Sequence, residues 1–107
     1  MDKDFEVPFS SIDIYFTDPS RVLVPSKFDA RDPHSKEVLE MAISIHKHGL
    51  YCPIECSKDT EGNYVLKHGY VRLMAVRMIL RGFKYFCEET SSEVQFRDKK
   101  YRITVTL

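Results

Sequence analysis

The chain is short of several things. Its 107 residues include only three cysteines, four glycines and five prolines, and sixteen basic side chains are offset by sixteen acidic ones. Three cysteines cannot build a disulfide framework. Cys52, Cys56 and Cys87 lie in or beside apolar runs and are expected as reduced, buried thiols. So little glycine and proline excludes a collagen-like fibre, and 43% apolar residues exclude a disordered tail. Zero formal charge argues against a protein that coats polyanions wholesale. No long apolar run is present either. The richest, Val71 to Leu80, is interrupted by Arg72 and Arg77 and is too short to span a bilayer. The acidic opening, Met1 to Glu6, lacks the apolar core of a signal peptide, so a soluble cytoplasmic domain with no membrane partner is expected.

What is present is asymmetric. Residues 1–61 carry seven Lys/Arg and twelve Asp/Glu, whereas residues 62–107 carry nine and four. Lys67, Arg72, Arg77, Arg81 and Lys84 fall in one segment without an acid, which predicts a basic side built largely from it. The length suits one domain. Phe5 to Phe16 and Arg21 to Pro25 read as strands around an Asp18-Pro19-Ser20 turn, and Ser26 to Arg31 as loop. Asp32 as N-cap, Pro33 at the first helical position and Gly49 as stop predict a helix from Pro33 to His48. Strands at 53–56 and 64–67 precede a second helix, Tyr70 to Arg81, apolar around most of its circumference and stopped by Gly82. A strand at 84–87 follows. Val94 and Phe96, then Tyr101, Ile103, Val105 and Leu107, predict a C-terminal β-hairpin with one apolar face. The fold class is α+β, a small mixed sheet with two main helices and that hairpin.

The strand-to-helix junction Lys67-His68-Gly69-Tyr70-Val71-Arg72 carries the most chemistry. A helix start has unbonded N–H groups and the positive end of the macrodipole, and normally recruits an Asp, Asn, Ser or Thr cap. Here there is neither cap nor acid; Lys67, His68 and Arg72 add positive charge instead. A phosphate accepting the free amides and pairing with Arg72 makes sense of that pattern, and a solvent-facing Arg72 is the bland alternative. His46, His48, Cys52 and Cys56 are close in sequence, but their spacing fits no zinc motif, so no metal site is assigned. Asp13, Asp18, Asp29, Asp32 and Glu37 are unpaired acids available as bases or magnesium ligands.

Two local words occur in an order resembling the ParB/sulfiredoxin-like superfamily, after an opening Val7-Pro8-Phe9-Ser10-Ser11-Ile12. One is Ser44-Ile45 followed by Gly49 and Pro53-Ile54; the other is Gly69 with Arg72 at the head of a helix. The resemblance covers about residues 5–88 and leaves 89–107 as a hairpin extension. It implies a stand-alone phosphate-binding module for nucleic acid or a nucleotide, with a nucleoside triphosphate and Mg²⁺ as the implied cofactor. His68, Gly69, Tyr70, Val71 and Arg72 would form the site, with Ser44 and His48 reaching in from the first helix. Lys67, Arg77, Arg81 and Lys84 would extend a nucleic-acid surface, and Tyr70 would stack on a base or ribose. Val71 replaces an arginine typical of ParB proteins, and the turn has no cysteine, which argues against sulfiredoxin activity. A phosphotransferase or nuclease using the same site is the second reading. A ligand-free interaction domain, self-associating through the hairpin as a homodimer, is the third.

Overall fold

A computed structural model describes residues 14–49 and 52–107. Strand β1 (Ile14–Thr17) is followed by short 3₁₀ turns at Pro19–Arg21 and Ser26–Phe28, then by helix α1 (Lys36–His48). Strands β2 (Ile54–Lys58) and β3 (Tyr64–His68) lead into helix α2 (Tyr70–Arg81), and β4 (Phe83–Cys87), β5 (Ser92–Phe96) and β6 (Ile103–Thr106) complete the chain. The architecture is the expected mixed α+β domain with two helices. The expected strand before Ile14, including residues 7–12 of the family-like opening, lies outside the described residues, as do Leu50 and Tyr51.

The hairpin is built from other strands than the alternation suggested. β5 pairs antiparallel with β4, Phe83 opposite Phe96, and forms a separate two-stranded sheet. β6 instead enters the main sheet, ordered β1-β6-β2-β3, antiparallel to β1 and parallel to β2. The physical reason is burial. Ile103 and Val105 are 1% and 0% exposed, because β6 fills the slot between β1 and β2. A surface hairpin would leave that apolar face wet. These two residues therefore belong to the core and offer nothing to a second copy of the chain. The expected strand at 21–25 shrinks to a single bridge, Leu23 to Val65, which covers part of the β3 edge.

Both helices lay their apolar faces on this sheet. Val38, Ala42 and Ile45 of α1 and Leu73, Met74, Ala75, Val76 and Ile79 of α2 share one core with Ile54, Cys56, Leu66, Ile103 and Val105. The start of α1 differs from the expected Pro33. The Asp32 carboxylate accepts the His34 N–H at 2.8 Å, closing a local turn that competes with helix. Ser35 is the cap instead, its Oγ accepting the Val38 N–H at 3.3 Å. Gly49 ends the helix at φ 84° as expected.

Burial pushes the Cys56 thiol up to about 11, from a reference value of 9.0. The folded state therefore holds this proton more tightly than the unfolded chain. The resulting stability is present below about pH 9 and is lost as pH rises through the folded value. In the native protein, Cys56 should be the slow thiol toward an alkylating reagent and exposed Cys52 the fast one. Mass mapping after a short exposure checks this order. Ser35→Ala should cost about 1 kcal/mol in urea unfolding, and Asp32→Ala less.

Candidate functional site: the start of helix α2

β3 delivers the chain to Gly69, whose φ of 108° and ψ of 31° turn it into α2 through left-handed space. Its carbonyl accepts the Leu73 N–H at 2.8 Å. No side chain caps the helix and no acid stands in its first turn. The amides of Tyr70, Val71 and Arg72 thus head the helix without a side-chain acceptor, as the sequence suggested. Glycine is needed here for a second reason. A Cβ at Gly69 would lie 3.3 Å from Ile54 Cγ2 and 3.4 Å from Arg72 Nη2. The missing side chain leaves room for the guanidinium itself.

Arg72 folds back along the turn, and its Nη1 donates to the carbonyls of Cys52 and Pro53 at 3.4 and 3.3 Å. It thereby ties the start of α2 to the chain segment that enters β2. Just before the turn, the register of β2 on β3 shifts between Glu55 and Cys56, which places His68 opposite Glu55. His68 Nε2 sits 3.5 Å from the Glu55 carboxylate, in a largely exposed pair carrying charge on both sides only when the imidazole is protonated. Lys67 is exposed beside that irregularity, and Val71 is half-buried.

Other expected contributors have different work. Tyr70 is 7% exposed, its ring stacked on Phe28 at 5.4 Å and its hydroxyl donating to the Arg31 carbonyl at 3.3 Å. The Arg31 guanidinium lies 5.0 Å from the same ring. This is a wall residue of the core with no face left for a base or ribose. Arg77, expected on a nucleic-acid surface, is half-buried: Nε donates to the Pro19 carbonyl at 3.3 Å and Nη2 to that of Val22. Desolvation lowers its pKa, with Arg81 adding to the effect, though a guanidinium stays charged regardless. It props the 3₁₀ turn at Pro19–Arg21 on α2. Ser44 and His48 are exposed on α1, and among the described residues neither bonds to the Gly69 turn. Arg81 and Lys84 are exposed near the opposite end of α2, about 17 Å away at 1.5 Å per residue. The basic segment therefore forms two separate regions.

Phe28 and Arg31 were invisible in the sequence because they lie in a loop without periodicity. Together with Asp29, Tyr70, Met74 and Arg77 they line a cavity of about 270 Å³ beside α2. Glu37 faces Arg31 at 4.0 Å. His46 packs on the Phe96 ring at 3.9 Å, and Cys56 is buried. No group of three or more His, Cys, Asp or Glu able to hold a metal occurs among the described residues. Nor is any described helix long and apolar enough to cross a membrane. Compared with known proteins, the chain matches no family model, no curated protein and no solved structure.

Gly69→Ala should cost about 1–2 kcal/mol, because alanine is strained at this φ and meets Ile54. Arg72→Ala should cost about 1 kcal/mol through the two lost carbonyl bonds, which are long and partly exposed. Urea unfolding of both variants checks these values.

Proposed function

We propose that the domain is a phosphate-binding module, holding a phosphate of a nucleotide or nucleic acid at the start of α2. The reading rests on one observation: a helix N-terminus opened by a left-handed glycine, with no cap, no acid in its first turn and an arginine folded alongside. The first-turn amides would donate to phosphate oxygens, which the positive end of the helix also attracts. Nη1 of Arg72 is engaged by Cys52 and Pro53, so Nε and Nη2 are the nitrogens left to approach the anion. The likeness of this turn to the ParB/sulfiredoxin-like superfamily supports the same reading. Because Tyr70 is covered by Phe28, recognition of a base cannot come from that ring. Affinity at this turn should follow phosphate number more than base identity.

A ligand-free interaction domain is the competing reading, and the carbonyl partners of Arg72 favour it, since they satisfy the guanidinium without any anion. One titration separates the two. Pyrophosphate, CTP and ATP are added to ¹⁵N-labelled protein while the Tyr70, Val71 and Arg72 amides are followed by NMR. The phosphate reading expects saturable shifts at these amides, weakened about tenfold by Arg72→Gln and suppressed by salt. Amides that stay in place with all three probes would leave the interaction domain as the answer.

A further inference from the structure

The second cationic region lies where α2 hands over to β4. Arg81, Gly82, Phe83, Lys84, Gln95, Phe96 and Arg97 line a groove of about 310 Å³. Three of these residues are cations and none is an acid. Among the described residues, no ion pair joins Arg81, Lys84 or Arg97 to a carboxylate; the pairs present are Arg31–Glu37, Lys36–Glu40, Lys47–Glu89 and His68–Glu55. Arg97 is held in place. Its Nε donates to the Leu80 carbonyl at 3.5 Å, and its aliphatic stem covers Gly82, where a Cβ would stand 3.3 Å from Arg97 Cβ.

The helix dipole accounts for part of this charge, since cations are favoured near a C-terminus. It explains Arg81 and Arg97, but not Lys84 on β4 or the apolar residue beyond it. Lys84 pairs across the hairpin with Gln95, and Phe86 with Glu93, so Lys84 and Phe86 share the outward face. Phe86 is 63% exposed, the most exposed large hydrophobic among the described residues. Phe83 and Phe96 point to the other face and pack against the core. The outward face thus carries a bare aromatic ring beside a groove of three cations, with Glu93 directly across the hairpin from that ring.

We infer that this face of the β4–β5 hairpin binds single-stranded nucleic acid, with phosphates on Arg81, Lys84 and Arg97 and a base stacked on Phe86. Unpaired like charges gain most from a polyanion that releases its counterions. An exposed ring beside them selects one whose bases are free to stack. A duplex keeps its bases internal, and a run of aspartate and glutamate alone brings no planar rings for Phe86. This site is independent of the turn at Gly69, which lies at the other end of α2.

The test uses the intact chain and fluorescence anisotropy of a labelled oligothymidylate of about 15 nucleotides, within the span of small stacking sites. Saturable binding should fall with salt at a log–log slope of about −2, as three phosphate contacts on a single strand require. Phe86→Ala should weaken binding about tenfold, and Arg81→Glu with Lys84→Glu should remove it. All three side chains are exposed, so circular dichroism and the melting transition should stay near those of the parent. The tenfold effect of Phe86→Ala should persist in an Arg72→Gln background, which separates this site from the one proposed at Gly69. Equal binding of a duplex of the same length would overturn the inference. So would equal competition by polyglutamate, indifference to Phe86→Ala, or loss with Arg72→Gln but not with the charge reversals.

Discussion

The burial of α2 governs the rest of the molecule. Tyr70, Leu73, Met74, Ala75, Val76 and Ile79 all face the interior, so little of the helix is free to meet water. Any charge on such an element must find a partner or reach an end. Arg72 and Arg77 find main-chain carbonyls, one on the segment entering β2 and the other on the turn after β1. Arg81 lies at the end. Two guanidiniums thereby become ties between the central helix and segments distant in sequence. Hydrogen bonds from a charged donor to main-chain carbonyls suit that task.

The same constraint shapes the head of the helix. With Ile54 packed beneath the first turn and Arg72 passing beside it, a Cβ on the linking residue would crowd both, and its φ is positive. Gly69 meets both demands. Its presence therefore has a structural cause even before any ligand is considered, and because Gly69 is the N-cap residue the missing side-chain cap has the same cause. Tyr70 and Leu73 are buried in the first turn, so its lack of an acid fits the packing as well, and the proposed anion site rests on the bare amides beside the Arg72 guanidinium.

Much of the architecture was legible in the residues. The limits of α2 were readable because glycines at 69 and 82 bracket a segment that is apolar apart from its three arginines. The start of α1 was less so, since Asp32 and Ser35 are both capable caps and only the local turn made by Asp32 decides between them. The fate of β6 was hidden for a different reason. Alternation at Ile103 and Val105 reports that one face is buried, not which strands bury it, and the nearest strand in sequence was not the partner. At the site, the absence of a cap was visible in the letters. The carbonyls that engage Arg72 and Arg77 were not, because a main-chain acceptor leaves no trace in side-chain identity. Tyr70 shows the same limit: its stacking partner Phe28 comes from a loop with no pattern to mark it.

Placing β6 between β1 and β2 has a consequence for how the domain comes into being. Ile14 is registered on Thr106, and Ile54 on Val105, so the middle of the sheet is contributed late in the sequence. During synthesis, β1 and β2 both emerge long before the strand that joins them. Until then the two helices have only part of a floor, and the β1 edge waits unpaired. The sheet cannot close until β6 has been made, through contacts remote in sequence whose loop-closure cost slows folding. A helper that shields nascent edges would act during that interval, on a chain whose sheet is still open at its centre.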